Sequence, residues 1–271
     1  MIGKFEMTGM ENISVHNLPV YLSNYLKNNH GIIFCFTTRN SGSGSDGVNS
    51  FNLDYYAGGN EENTRKNREM ILKKLELKKM RKIYSVKQVH GTNILNIDKN
   101  MNLESDNIMK EADCLITDLK DVPIMVMGAD CNLILMADIN KKVIAAVHAG
   151  WKGTLQGLAE TVISNMKKNF GSKSRDIFVA FGPSIRKCCY KIDNGVLERF
   201  TDKFGSGSFF AKKNNDIYLD LVKLNNIQLE KSGIYEENIF DCGKCTYCNE
   251  DFFSYRRNKA TGRQAGIAII K

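Results

Sequence analysis

The apolar pattern of this chain is densest between residues 114 and 147. Four short apolar runs follow one another there: CLIT from Cys114, PIMVM from Pro123, LILMAD from Leu133 and VIAAV from Val143. Their lengths are those of strands, and Asp, Gly or Asn residues separate them. We therefore predict four consecutive buried strands in the middle of the chain.

The apolar pattern changes period directly after the fourth run. Apolar residues then recur at steps of three and four, at Leu155, Leu158, Val162 and Met166. This spacing places them on one face of a helix, which we predict to end at Gly171. His148 therefore lies where a buried strand passes into a helix, a position at which mixed α/β scaffolds present catalytic groups.

Further elements flank this central region. Residues 32–38, 83–89, 177–181, 239–242 and 265–270 read as strands, with 93–97 as a hairpin partner of 83–89, and 61–77, 194–204 and 220–231 read as helices. Residues 40–53 form a Gly/Ser-rich loop of a length that is typical of functional loops or lids. Because strands predominate and no composition break divides the chain, we predict an α+β fold. We expect a single domain over residues 1–271, with mixed β-sheets in a layered core flanked by helices.

Composition excludes several classes of protein. The 271 residues include no apolar run of about 18 residues, so no membrane span is expected. The N-terminus lacks an apolar signal core, and eight cysteines without such a signal indicate thiols in a reducing compartment. We therefore expect a cytoplasmic protein. The net charge of +8 comes from dispersed lysines, which favours a solvated surface, and no nucleic-acid-binding pattern accompanies it.

Three residues at the ends of strand-like runs have the chemistry of metal ligands: His90, Cys131 and His148. Zinc accepts two imidazoles and one thiolate, and a catalytic zinc site keeps a fourth position open. Their spacing matches no short ligand motif, and Cys114 is a rival for the cysteine position. The residues alone therefore leave open a metal site or a buried cysteine with two unrelated histidines.

Several segments carry a family resemblance in the same order along the chain. They are GVNSFNL, KQVHGTNI, EADCLITD, GADCNLILMAD, AAVHAGWKGTLQG, GPSIRKCCYKID, CTYCNEDFFSYRR and TGRQAGIA. From about Arg39 onward the chain resembles the bacterial laccase-domain, or polyphenol oxidoreductase, family of multifunctional zinc enzymes of purine nucleosides. The resemblance implies phosphorolysis of adenosine, guanosine, inosine and methylthioadenosine, and deamination of adenosine.

The same resemblance assigns roles to individual residues. His90, Cys131 and His148 match the family's metal ligands and catalytic residues, whereas the position of Cys114 is usually a small residue. The chain departs from the family pattern at Lys152, at Arg186-Lys187 and at Lys191. None of these departures touches a ligand, so they bear on substrate preference and leave the metal site intact.

Binding roles for the substrates are distributed over several polar residues. The phosphate candidates are arginines, because guanidinium matches phosphate oxygens: Arg39 above all, with Arg256, Arg257 and Arg263. Asn52 and Gln88 are candidates for hydrogen bonds to the ribose or base. Trp151 and the pair Phe252-Phe253 could stack on a purine, although core packing is the favoured role.

The remaining candidates concern an acid and the other thiols. Asp130 is a candidate acid for the departing purine, or a partner that orients a ligand histidine. Cys242, Cys245 and Cys248 form CxxCxxC without an evident fourth ligand, so we interpret them as thiols. The adjacent Cys188 and Cys189 cannot bridge each other without strain, and we expect them to lie buried near the site.

Two reactions are expected of such a site, and three other functions are alternatives. In deamination, water activated at a zinc ion would attack C6 of adenine. In phosphorolysis, phosphate would attack C1′ of the ribose while an anion held close to the sugar stabilises its positive charge.

The alternative functions are a copper-binding polyphenol oxidoreductase, a cysteine hydrolase that uses Cys131, and a non-catalytic interaction module. Four histidines are too few for the copper sites of a multicopper laccase, although one copper ion at the same three ligands remains an alternative to zinc.

Overall fold

Two long neighbouring strands, Asn132–Asp138 and Val143–Ala149, are buried at every position. They explain the continuous apolar runs, because a strand covered on both faces has no solvent-facing positions. The computed structural model describes residues 10–15, 18–44, 48, 50–77 and 82–271, so His16 and part of the Gly/Ser-rich loop lie outside the described residues.

The helices of the described residues are α1 (Asn24–His30), α2 (Glu61–Lys74), α3 (Trp151–Gln156), α4 (Leu158–Phe170), α5 (Asn194–Phe204) and α6 (Leu221–Lys231). The first eight strands are β1 (Glu11–Val15), β2 (Leu18–Leu22), β3 (Ile32–Thr37), β4 (Ser85–Lys87), β5 (Ile94–Ile97), β6 (Asn107–Glu111), β7 (Cys114–Thr117) and β8 (Ile124–Gly128). The others are β9 (Asn132–Asp138), β10 (Val143–Ala149), β11 (Ile177–Phe181), β12 (Lys191–Ile192), β13 (Phe210–Lys213), β14 (Asp216–Leu219), β15 (Ile239–Asp241) and β16 (Gln264–Ile270).

Two large sheets form the centre of the molecule. The five-stranded sheet has the order β1-β2-β3-β16-β8 and is antiparallel throughout. The six-stranded sheet has the order β15-β11-β9-β10-β7-β5 and is mixed, because β5 and β15 pair in parallel at its two edges. Strands β12, β14 and β13 form a small third sheet, and β4 pairs in parallel with β6.

The two large sheets pack face to face. Phe34 and Phe36 of β3 and Val126 of β8 lie in one buried cluster with Leu135 of β9 and Ile144 of β10. Helices cover the outer faces: α4 and α6 pack on the six-stranded sheet, and α2 packs on the five-stranded sheet. The molecule is therefore layered as helix, sheet, sheet and helix, and the predicted α+β fold class with mixed sheets is confirmed.

Most of the predicted elements are present, and three predictions were wrong in detail. The predicted helix after His148 is two helices, because Gly157, at φ +90°, separates α3 from α4 before Gly171 ends α4. Strand β4 is only three residues long. Residues 94–97 do not form a hairpin with it, because β5 pairs in parallel with β7 instead. Among the described residues, no helix is both long enough and apolar enough to cross a bilayer.

Candidate metal centre

The structure brings His90, Cys131 and His148 together. One ligand atom from each of these residues lies within 4.8 Å of those of the other two. Cys131 directly precedes β9 and His148 lies near the end of β10, and the antiparallel register places His148 opposite Leu133 and Ala149 opposite Asn132. The third residue, His90, comes from the loop between β4 and β5, and its ring centroid is 4.8 Å from that of His148.

A buried carboxylate holds both histidines. The Oδ1 atom of Asp113 lies 2.8 Å from Nδ1 of His148 and accepts the backbone N–H of His90 at 2.9 Å. Its Oδ2 atom accepts the backbone N–H of Gly91 at 2.6 Å and that of Val89 at 3.3 Å. These bonds stabilise the turn in which His90 has a φ of +61°. Because an ionised carboxylate only accepts hydrogen bonds, Nδ1 of His148 donates and Nε2 remains for a metal.

Glycine at position 150 leaves the room that two of the three ligands need. A Cβ atom built there would lie 3.0 Å from Cδ2 of His90 and 3.1 Å from Sγ of Cys131. Gly150 is also the N-cap of α3, directly after the strand that carries His148. The HAGW segment therefore needs glycine here because a side chain would press on two of the ligands.

The charges of the three side chains support one another. Burial alone would raise the pKa of Cys131, but the positive charge of His148 and hydrogen bonds from His148 and His90 lower it. Burial would likewise lower the pKa of His148, yet the Cys131 thiolate and Asp113 raise it. In the metal-free protein, Cys131 and His148 thus form a thiolate–imidazolium pair. A thiolate and two imidazoles are the donor set of a zinc site with an open fourth position, so these residues fit such an ion.

Cys114 is not part of this cluster. It lies fully buried in β7, packed against the helix-covered face of the six-stranded sheet. Burial, with the nearby charge of Asp113, raises the pKa of Cys114 well above its ordinary value. The cysteine that meets the two histidines is therefore Cys131.

A cavity of about 530 Å³ opens at the three metal-capable residues. Its lining includes His90, Cys131 and His148, together with Lys87, Gln88, Arg263 and the tyrosines Tyr56 and Tyr255. Both tyrosines are about half exposed, at 51% and 47%. The cavity lining thus combines metal-capable residues with aromatic and cationic side chains.

Two of the predicted substrate-binding residues line this cavity. Gln88 donates from Nε2 to the carbonyl of Met127 at 2.7 Å and accepts the N–H of Met127 at 2.7 Å, so both ends of its amide are bonded to backbone. Arg263 donates from Nη1 to the carbonyls of Thr261 and Gly262, and its guanidinium lies 6.0 Å from the Tyr255 ring centroid. Arg263 is therefore fixed at the cavity, with a positive charge beside an aromatic ring.

Arg39 and Asn52 do not line the cavity. The guanidinium of Arg39 lies 5.4 Å from the ring centroid of the buried Phe253. Asn52 is buried and accepts the backbone N–H groups of Asp54 and Arg263 through Oδ1, at 3.1 and 2.9 Å. Since Asp54 and Arg263 both line the cavity, Asn52 connects two parts of its lining from behind.

Asp130 also lies outside the cavity lining, although it precedes Cys131. Its Oδ1 atom accepts from the hydroxyl of Thr246 at 2.7 Å, and Oδ2 accepts the backbone N–H of Arg256 at 2.6 Å. Its φ of +100° is unusual for a non-glycine residue. The partner that orients His148 is Asp113, which the sequence analysis did not single out. The sequence Ala-Asp-Cys occurs at residues 112–114 and again at 129–131. This repeat, which puts an acid ahead of β7 and of β9, was the signal that could have found it.

The other predicted arginines and aromatic residues have structural contacts. Arg257 donates to the carbonyls of Thr246, Tyr247 and Phe252, and Arg256 donates to that of Lys191. Phe252 and Phe253 are completely buried, and Trp151 packs on the cluster around α5 and α6. The favoured core role of the aromatic residues agrees with these positions.

Comparisons with known proteins agree with the fold. Residues 33–271 match the family described as multi-copper polyphenol oxidoreductase laccase. A purine nucleoside phosphorylase of Clostridium acetobutylicum is 37% identical over 190 residues, 69% of this chain and 76% of that protein. The purine nucleoside phosphorylase YfiH of Shigella flexneri is 32% identical over 239 residues, 88% of this chain and 93% of that protein.

A solved structure shows the same architecture. The crystal structure of YlmD from Geobacillus stearothermophilus aligns with a TM-score of 0.84 at 25% identity, covering 98% of this chain and 99% of that one. The family match, the two sequence relatives and this structural likeness all extend over most of the chain. This protein therefore belongs to the laccase-like polyphenol oxidoreductase family, as its sequence motifs predicted.

Proposed function

We propose that this protein is a zinc-dependent purine nucleoside phosphorylase that also deaminates adenosine. The observation that carries the proposal is the cavity in which His90, Cys131 and His148 converge beside Arg263 and the two tyrosines. The relatives named as purine nucleoside phosphorylases support the phosphorolytic reaction. The proposed substrates are adenosine, inosine, guanosine and S-methyl-5′-thioadenosine, with inorganic phosphate as the second substrate.

Histidine positions favour a single metal ion over a multicopper site. The chain has four histidines, of which His16 lies outside the described residues. His30 ends α1, and its ring packs beside those of Tyr25 and Phe178, with centroids 5.3 and 6.5 Å away. Only His90 and His148 meet at the described cluster. Copper sites of a laccase need many more imidazoles, so a mononuclear site is the better assignment, and we propose zinc as its metal.

In the proposed phosphorolysis, phosphate attacks C1′ of the ribose and the C1′–N9 bond to the purine breaks. The products are the free base, which takes up the proton of the hydrogen phosphate, and ribose 1-phosphate, or 5-methylthioribose 1-phosphate from S-methyl-5′-thioadenosine. Arg263 would hold the phosphate, because a guanidinium pairs with phosphate oxygens through charge-assisted hydrogen bonds. Tyr255, beside Arg263, offers an aromatic face for the purine or sugar. The anion held near C1′ would stabilise the positive charge that develops on the sugar.

In the proposed deamination, water adds at C6 of adenine and ammonia leaves, which gives inosine. Zinc, when bound, supplies a Lewis acid that lowers the pKa of water towards neutrality. The chain holds the ligands for this purpose: Asp113 fixes the ring of His148 and the turn of His90, and Gly150 leaves room beside Cys131. Ligands oriented in this way would hold the ion at the cavity.

The direct test is incubation of the purified protein with adenosine, with and without phosphate, followed by chromatography of the products. We expect adenine and ribose 1-phosphate only when phosphate is present, and inosine in both reactions. Cys131→Ala and His148→Ala should each lose the metal at this centre and both activities, whereas Cys114→Ala should keep them. Formation of no product by zinc-loaded protein would contradict the proposal.

The paired Cys131 and His148 also favour a second candidate, a cysteine hydrolase with Cys131 as nucleophile. Chelation at constant pH separates the two, with thiols kept reduced by a non-chelating phosphine. A zinc enzyme loses activity and regains it with added zinc. Activity that persists in protein shown by elemental analysis to be free of zinc would support the cysteine nucleophile. Oxidation of a phenol by copper-loaded protein, with no activity on nucleosides, would instead support the polyphenol oxidoreductase.

A further inference from the structure

A second group of potential metal ligands, made of four cysteines, lies outside the cavity lining. Cys188, Cys189, Cys245 and Cys248 each place Sγ within 4.8 Å of the other three. The Sγ atoms of Cys188 and Cys248 are 3.7 Å apart, and those of Cys189 and Cys248 are 3.0 Å apart. Two of the thiols thus come from the CxxCxxC segment, and the other two come from the adjacent cysteines about 60 residues earlier. Cys242, the first cysteine of that segment, is not a member of the cluster.

The separations suit a shared metal ion. With zinc–sulfur bonds of about 2.3 Å, tetrahedral geometry places the sulfur atoms roughly 3.8 Å apart. A disulfide requires about 2.05 Å, and all eight cysteines are free thiols. Cys245 and Cys248 also have the C-x2-C spacing of structural zinc sites. Four thiols from two separate turns therefore surround one point at close to the distances that a zinc ion needs.

Backbone hydrogen bonds hold the two cysteine-bearing segments together. Ser184 donates its N–H to the carbonyl of Lys244 at 3.2 Å, and Thr246 donates its N–H to the carbonyl of Ser184 at 3.1 Å. These bonds join the turn of Cys188 and Cys189 to the turn of Cys245 and Cys248. The sulfur of Cys245 also accepts backbone N–H groups, from residues 186, 247 and 248. Such N–H groups stabilise a thiolate ligand in the way that a positive charge would.

We propose that Cys188, Cys189, Cys245 and Cys248 bind a structural zinc ion. A site with four thiolate ligands is closed, so its role is to cross-link two turns and not to bind substrate. Basic residues adjoin the ligands in sequence, namely Arg186, Lys187 and Lys244, and Arg186 forms an ion pair with Asp241 at 2.7 Å.

This zinc site also supports the candidate metal centre. Thr246, between two of its ligands, donates its hydroxyl to Asp130, and Ile185 donates its N–H to the carbonyl of Asp130 at 2.9 Å. Asp130 in turn holds the positive-φ turn from which Cys131 projects. The four thiols therefore act as a positioning element for Cys131, through Thr246 and Asp130, without touching the cavity.

The test is the zinc content of protein purified under reducing conditions without chelators. We expect two zinc ions per chain in the wild type and one in Cys248→Ser, which should also melt at a lower temperature. Cys242→Ser is the matched control, since it removes a cysteine of the same segment and should retain two. His148→Ala should keep one zinc, bound by the four thiols. Its cobalt-substituted form should show the intense visible bands of tetrahedral thiolate coordination.

Several results would overturn the proposal. One such result is a wild-type zinc content of one ion per chain that falls to zero in His148→Ala. Another is full reaction of all four thiols with a thiol reagent in the folded protein. An intact mass two daltons low, with a peptide linking Cys189 to Cys248, would show a disulfide instead, and iron would show a different cluster. Because the His148→Ala measurement does not depend on folding of a cysteine variant or on activity, it stands even if nucleosides prove not to be the substrates.

Discussion

Asp113 and His148 form a buried pair in which Oδ1 of the carboxylate lies 2.8 Å from Nδ1 of the imidazole. Both side chains are almost fully excluded from solvent, at 0% and 3% exposure. The backbone N–H of His148 also donates to the carbonyl of Asp113. Because the same carboxylate accepts the N–H of His90, one acidic group fixes two of the three ligands.

Asp113→Asn should therefore weaken zinc binding without removing a ligand. The amide removes the charge opposite His148 and brings a donor towards the N–H groups of the His90 turn, so we expect roughly a 10–100-fold lower affinity. Competition titration with a chromophoric chelator measures it. Asp118→Asn is the control, because Asp118 is exposed and directly follows β7, the strand that Asp113 directly precedes. Equal affinity in both variants would show that Asp113 does not orient the ligands.

Gly150→Ala should disturb the centre through a single methyl group. The new Cβ would lie 3.0 Å from the His90 ring and 3.1 Å from the Cys131 sulfur, so both ligands must move. Overpacking of this kind costs about 1–3 kcal/mol, and we expect lower zinc content with the fold retained by circular dichroism. Gly195→Ala, whose Cβ would meet its nearest atom at 3.4 Å, is the control and should retain full zinc.

Alkylation of Cys131 in metal-free protein should persist into mildly acidic solution. Burial opposes ionisation, but His148 and His90 lower the pKa of Cys131 to about 6. A lowered pKa keeps the thiolate at pH values below the ordinary range, so the iodoacetamide rate should stay high at neutral pH and fall to half near pH 6. Peptide mapping locates the label, and Cys114 should remain unlabelled because burial raises its pKa.

The control for this alkylation is His148→Ala. Without the neighbouring imidazolium, the midpoint of the Cys131 reaction should move to higher pH. A midpoint that stays unchanged in this variant would contradict the thiolate–imidazolium pair.

Arg263→Ala should raise the phosphate requirement of phosphorolysis more than Arg39→Ala does. Arg263 lines the cavity, whereas Arg39 packs over Phe253. Loss of a charge-assisted hydrogen bond of about 1.5–3 kcal/mol should lower kcat/KM for phosphate about tenfold or more. Deamination, which uses water, serves as the internal control and should change less. If Arg39→Ala lowered kcat/KM for phosphate more than Arg263→Ala does, Arg39 would again be the better candidate for the phosphate-binding residue.

Sequence patterns predicted the layered fold because its strands are local apolar runs, whereas the partners of those strands depend on distant residues. Strand β5 pairs with β7 and not with the neighbouring β4, and no local signal distinguishes these pairings. The three metal-capable residues followed from motif resemblance. Asp113 was missed because its partners, His90 and His148, are 23 and 35 residues away. The approach of Cys188 and Cys189 to Cys245 and Cys248 was missed for the same reason. The expected burial of the adjacent pair was wrong, because Cys188 is exposed and Cys189 is only partly buried.

The three ligands of the candidate metal centre and Asp113 all lie within residues 90–148, whereas Tyr255 and Arg263 reach the same cavity from near the C-terminus. The metal-capable residues and these two lining residues thus reside on separate stretches of one chain. A chimera that takes residues 249–263 from a relative would keep every metal ligand and replace this part of the lining. In evolutionary terms, substrate range can drift through such segment exchange while the metal chemistry is inherited unchanged.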